Sequence, residues 1–140
     1  MKKIFTTLFC AATLMFISNN SNAQLRFGVG GSMTFSPTNI GPQARLAFDI
    51  NDKVRLSGAA TYYLGSSSFL AFDTDVRFKL AMLGSLAIEP LAGLFINDEG
   101  VALNLGVHFR IEKEGSDIYI EPKFIIDKTS IFALGAGFFF

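Results

Sequence analysis

The sequence is short of several residues on which whole classes of chemistry depend. Its single cysteine, Cys10, lies near the start, there is no tryptophan, and the one histidine is His108. A lone histidine has no second histidine or downstream cysteine with which to complete a zinc site, so neither a metal nor another cofactor is expected. Neither sign of charge prevails, with 12 Lys and Arg against 12 Asp and Glu. Such a balance offers no basic stripe to neutralise phosphates, which argues against nucleic acid as a partner. The glycines of "GVGG" (28–31) lie inside a strand pattern with no helix after them, so they form no nucleotide-binding loop. Beyond the opening residues, no apolar run reaches the roughly 20 residues that a membrane-spanning helix needs. A membrane protein built from the remainder has to be a barrel.

The opening "MKKIFTTLFCAATLMFISNNSNAQ" has the build of an export signal. Lys2 and Lys3 give a positive start, residues 4–17 are mostly apolar, and "SNNSNA" supplies small and polar residues before a cut after Ala23. The bulky Phe9 before Cys10 does not suit a lipid-acylation site. Removing 1–23 from 140 residues leaves 117, enough for one domain at 24–140. That domain has no cysteine, and loss of Lys2 and Lys3 from the 12 basic residues leaves 10 against 12 acidic ones. Its stability must come from packing, hydrogen bonds or a membrane.

From Gln24 onward, apolar and polar residues alternate with a period of two, and the breaks fall at turn chemistry. Turns at 36–41, 51–53, 65–68, 83–85, 97–100, 112–116 and 127–130 divide the chain into eight segments, an antiparallel up-and-down meander. On the fourth, Leu70, Phe72, Val76, Phe78, Leu80 and Met82 alternate with Ala71, Asp73, Asp75, Arg77, Lys79 and Ala81. On the sixth, Val101, Leu103, Leu105, Val107, Phe109 and Ile111 alternate with Ala102, Asn104, Gly106, His108, Arg110 and Glu112. One face is apolar throughout. The other collects glycine, alanine and charge.

Alternation alone leaves the orientation of these faces open. A soluble lipid-binding barrel would line a cavity with Phe72, Phe78 and Phe109, whereas an outer-membrane barrel turns its apolar face to lipid. Small residues on the polar face, among them Gly28, Gly30, Ala47, Ala59, Gly106, Ala133, Gly135 and Gly137, suit a narrow lumen. The chain ends "FALGAGFFF", which puts Phe132, Leu134, Ala136, Phe138 and Phe140 on the apolar face.

In this alternation and this ending the sequence resembles the small outer-membrane β-barrels of Gram-negative bacteria, the eight-stranded OmpA-like and OmpX-like group. The resemblance spans all of 24–140 as a pattern and not as a diagnostic string. It implies an all-β fold, an eight-stranded antiparallel up-and-down transmembrane β-barrel, exported by a cleaved signal to the outer membrane as a monomer with both ends periplasmic. It also implies that Phe132, Leu134, Ala136, Phe138 and Phe140 form an insertion signal for the barrel-assembly machinery. Outer-membrane lipid would then be the permanent partner.

In that orientation seven cations point inward, Arg26, Arg45, Arg55, Arg77, Lys79, Arg110 and Lys123, with seven anions, Asp49, Asp73, Asp75, Glu89, Glu112, Glu121 and Asp127. Equal numbers suit a mutually paired network in a barrel too narrow for anything but its own side chains. The expectation is a plugged barrel with a structural role in the envelope and no enzymatic activity. A lipid-modifying enzyme would need a Ser and His pair, and His108 in "VHFRIE" is followed two residues on by Arg110 and not by serine. The echo "IEPLAGLFIND" from Ile88 and "IEPKFIID" from Ile120 places Pro90 and Pro122 inside strands, where a missing amide predicts local bulges or kinks.

Overall fold

The computed structural model describes residues 24–140, so segment 1–23, read from the sequence as an export signal, lies outside it. The described residues form nine strands: β1 (Leu25–Phe35), β2 (Asn39–Asp49), β3 (Val54–Tyr63), β4 (Phe69–Phe78), β5 (Ala81–Leu83), β6 (Leu86–Asn97), β7 (Gly100–Lys113), β8 (Ser116–Ile126) and β9 (Ser130–Phe139). Consecutive strands pair antiparallel except β4 and β5, which both pair with β6, and β1 pairs with β9. Taken together, β4 and β5 fill one position, and the sheet closes as an eight-stranded antiparallel barrel. Closure removes the free edge on which backbone N–H and C=O groups would otherwise lie unpaired. The ends of the described chain share one mouth with the β2–β3, β5–β6 and β7–β8 turns; the other four connections lie at the far end.

The period of two sets the faces. Phe27, Phe72, Phe78, Phe124 and Phe138 are exposed on the outside, while Arg77, Glu89, Glu121 and His108 are fully buried within. This places Phe72 and Phe78 on the exterior, the reverse of what a soluble lipid-binding barrel requires. Strands β3, β4 and β9 have 10 residues each. At about 3.3 Å per residue and a tilt near 40°, such strands cover about 25 Å, the height of the apolar band of outer-membrane barrels.

Several connections are shorter than the sequence suggests. Asn39 and Ile40 belong to β2, because the Asn39 amide turns into the barrel and donates to Thr34 Oγ1 at 3.4 Å. Only Asp98 and Glu99 separate β6 from β7, and the Asn97 side chain accepts from the Glu99 and Gly100 amides. The β7–β8 hairpin turns on Gly115, whose φ of +77° favours glycine.

The alternation expected from Leu70 to Met82 is broken. Arg77 pairs with Leu91 and Ala81 with Ile88, so three residues of one strand, Phe78, Lys79 and Leu80, oppose two of the other. This is a bulge, and it reverses the faces beyond it. Met82 is therefore opposite the inward Ala87, and Ala81 opposite the outward Ile88. Pro90, which has no amide to donate, lies opposite this bulge. Pro122 lies where the β7–β8 ladder skips between Gly106↔Lys123 and Phe109↔Ile120, with the register otherwise unshifted. Pro42 sits in the same relation to β3, between Ile40↔Leu64 and Gln43↔Thr61.

The β1–β9 seam depends on two glycines in contact. A Cβ on Gly30 would come within 2.2 Å of the Ala136 carbonyl oxygen, and one on Gly137 within 2.3 Å of that of Val29. Both would also meet the Tyr119 hydroxyl, which lies over the seam from inside. Gly58, on the outer face, has nothing closer than 3.8 Å. Gly30→Val should therefore destabilise the barrel by about 1–3 kcal/mol through overpacking, with Gly58→Ala close to neutral. Urea titration of the two variants in detergent micelles, followed by far-UV circular dichroism, checks the contrast.

Candidate functional site in the barrel lumen

The lumen is layered along its axis. In the middle layer four donors converge on one carboxylate. Arg45, inward on β2, donates to Glu121 on β8 through both terminal nitrogens, at 2.7 and 2.5 Å. Arg77 on β4 donates at 2.9 Å, His108 Nδ1 lies at 2.8 Å, and Lys123 Nζ lies at 3.7 Å. All five side chains are buried. Arg45 also lies over the Tyr119 ring at 4.8 Å and donates through Nε to Gln43 Oε1 at 2.6 Å. The bidentate geometry is one that guanidinium satisfies and ammonium does not.

His108 is locked by its neighbours. Arginine can only donate and an ionised carboxylate can only accept. Arg77 Nη1 lies 3.3 Å from His108 Nε2, and Glu121 faces Nδ1, so the imidazole is neutral with its proton on Nδ1. Neither nitrogen is free to take a proton from a hydroxyl. The ring stacks on Tyr119 at 5.2 Å, and Phe139 closes the cluster edge-on at 6.1 Å.

Beside this hub, Lys123 donates to Asp73 at 2.6 Å, and Asn104 donates to Asp73 at 2.7 Å and to Asp75 at 3.2 Å. Nearer the chain ends, Arg110 bridges Glu89 at 2.9 Å, Glu112 at 2.7 Å and Asp117 at 2.9 Å. Arg26 also pairs with Asp117, and Arg55 pairs with Asp49 at 2.5 Å. Towards the far end the lumen turns apolar. Tyr63, Ala71, Phe95, Ile125 and Ala133 form a buried apolar cluster with Phe69, Ala102 and Ile131 against it. Tyr63 stacks on Phe69 at 5.0 Å, and its hydroxyl meets Ser32 Oγ at 2.9 Å.

Thirteen of the fourteen charged residues singled out from the sequence therefore lie on the inner face or at its mouth. Asp127 does not. Strand β8 ends at Ile126, so Asp127 opens the exposed turn at the far end, where its amide bonds the Thr129 carbonyl and no cation pairs with it among the described residues. Lys79 is half-buried at the bulge without an ion pair among the described residues, and Glu112 is exposed although it reaches Arg110. Asp117, which takes two arginines, is not among the residues singled out from the sequence. Stepping back by twos from Lys123, Glu121 and Tyr119 would have put it inward, but it adjoins the turn assigned to 112–116. The inward aromatic residues Tyr63, Phe95 and Tyr119 were also missed, because period two assigns a face and not a depth. Phe132, Leu134, Ala136, Phe138 and Phe140 are all exposed on the outer surface.

Removing the hub carboxylate would leave Arg45 and Arg77 buried and unneutralised, a loss of about 3–5 kcal/mol. Glu121→Ala should therefore melt far below the parent barrel, whereas exposed Asp127→Ala should be within about 0.5 kcal/mol of it. Temperature-dependent gel mobility of the two variants separates these outcomes.

No family model and no curated protein matches the sequence. Solved structures do match its fold. The N-terminal β-barrel domain of Pseudomonas aeruginosa OprF superposes with a TM-score of 0.65 at 17% identity, over 85% of this chain and 100% of that one. Neisserial surface protein A gives 0.62 at 13%, over 85% and 98%. Yersinia pestis Ail, in complex with the heparin analogue sucrose octasulfate, gives 0.54 at 13%, over 86% and 100%. Residues 24–140 have the closed eight-stranded fold of the outer-membrane β-barrels.

Proposed function

We propose that this protein is an integral outer-membrane β-barrel with a sealed lumen and a structural role in the envelope, delivered by a signal cleaved after Ala23. The observation that carries it is the pairing of two features in one molecule. The outer face is a continuous apolar band, and the inner face is filled by ion pairs capped at the far end by the Tyr63, Phe69 and Phe95 cluster. A barrel of this width is filled by its own side chains, and burying so many charges requires that they satisfy one another.

Outer-membrane lipid is the partner of the exterior, and the barrel works as a monomer. The outward residues of β9, Phe132, Leu134, Ala136 and Phe138, together with Phe140, serve as the insertion signal for the assembly machinery. Their exposure in one row at the end of the chain supports that role. Enzymatic work on lipid is disfavoured, since both His108 nitrogens are held by Arg77 and Glu121. Binding of a polysulfate of the kind seen with Ail does not suit the far-end turns, where Asp98, Glu99 and Asp127 face Lys128 alone.

The test is cell fractionation of the full chain against one lacking 138–140, with heat-modifiable gel mobility and planar-bilayer recording of the purified barrel. The intact chain should enter the outer-membrane fraction, shift on heating and carry no steady current, and the truncated chain should lose both the location and the shift. Recovery of the intact chain as a soluble periplasmic protein contradicts the membrane assignment; a steady current contradicts the seal.

A further inference from the structure

The mouth beside the chain ends is not filled. A recess of 310 Å³ opens there, walled by five cationic side chains and three carboxylates. At about 30 Å³ per water it has room for roughly ten water molecules, or for a hydrated ion. The three carboxylates are already engaged: Asp49 by Arg55, Glu112 by Arg110, and Asp117 by Arg26 and Arg110. Glu89, deeper in the lumen, is held by Arg110 at 2.9 Å.

The remaining two cations, Lys79 and Lys113, have no carboxylate within 4.0 Å among the described residues. Residues 1–23 contain neither Asp nor Glu, so that segment has no side-chain carboxylate to offer them. Asp52 and Glu114 sit on the exposed β2–β3 and β7–β8 turns outside the recess wall. The wall thus holds two ammonium groups without an ion-pair partner around an open concavity, and with Glu89, which Arg55 and Arg110 share, counted among the carboxylates, the mouth keeps an excess of one positive charge. Lys79 is also a residue of the bulge between β4 and β5, and bulges re-aim side chains next to binding sites.

We propose that this recess binds a phosphate-type oxyanion, with the ammonium groups of Lys79 and Lys113 supplying the opposing charge. Ammonium groups on flexible stems meet phosphate as point charges, while the arginines, fixed by their own ion pairs, keep the wall in shape. The site opens on the side of the chain ends, away from the apolar seal. Its occupant is either free phosphate or the phosphate of a lipid head group at the rim of the mouth, and the chemistry is the same for both.

The experiment titrates inorganic phosphate into the isotopically labelled mature barrel in maltoside micelles, which contain no phosphate, with chloride at matched ionic strength as the comparison. Saturable amide shifts at Lys79 and Lys113 are expected, with the dissociation constant raised at least about tenfold in the Lys79→Gln, Lys113→Gln double variant, equivalent to about 1.4 kcal/mol. Heat-modifiable mobility establishes that the variant is folded, and the two single variants replace it if it is not. Shifts that merely track chloride, or that survive unchanged in the folded variant, overturn the site. In nanodiscs, movement of the same resonances on replacing phosphatidylcholine with phosphatidic acid identifies the lipid head group as occupant; movement only with added inorganic phosphate identifies the free ion.

Discussion

The barrel is organised around the Glu121 carboxylate. Two arginines, one histidine and one lysine from three other strands and its own reach it in a space closed to solvent. Each of those groups would be costly to bury alone, and the carboxylate would be as costly without them. The strands that carry them must therefore close in one register. A slip of one residue would turn Arg45 or Arg77 into the apolar exterior and bring Leu46 or Phe78 inside. Intact buried pairs roughly offset their own desolvation, whereas removing one partner leaves the other charge uncompensated, so breaking the network costs more than forming it contributes.

Around this centre the lumen changes character with depth. At the far end, Tyr63, Phe69, Phe95 and Ile125 fill it with apolar surface. In the middle, charge is matched and buried, and Tyr119 and Phe139 cover the hub from one side. At the mouth near the chain ends, the network loosens into a recess with spare positive charge. A single closed sheet thereby has a buried apolar cluster towards one end of its lumen and an open basic recess at the other. The glycines at the β1–β9 seam make this possible, because only backbones without Cβ atoms leave room for the Tyr119 hydroxyl beside them.

The two faces were legible in the sequence because period two is a property of single residues in order. Leu103, Asn104 and Leu105 declare their sides without reference to any other strand. Depth, partner and strand end were less legible, because they depend on where neighbouring strands lie. Asp127 continues the inward series of Lys123 and Ile125, yet the chain leaves the sheet one residue earlier. Asp117 adjoins the turn at 112–116, and its role shows only where β7 supplies Arg110 beside it and β1 supplies Arg26. The bulge at Lys79 and Leu80 carries no glycine to mark it. Its nearest signal is Pro90 on the facing strand, which fixes where a hydrogen bond is missing but not which strand gains the extra residue.

The orientation of the faces in a bilayer is the claim on which the rest stands, and the absence of cysteine from 24–140 makes it directly measurable. Single cysteines introduced in turn at 101–105 and 107 along β7, each spin-labelled in the refolded barrel in lipid, report their exposure to oxygen dissolved in the hydrocarbon. The account predicts high oxygen accessibility at 101, 103, 105 and 107 and low accessibility at 102 and 104. The opposite phase, or no alternation at all, would contradict it.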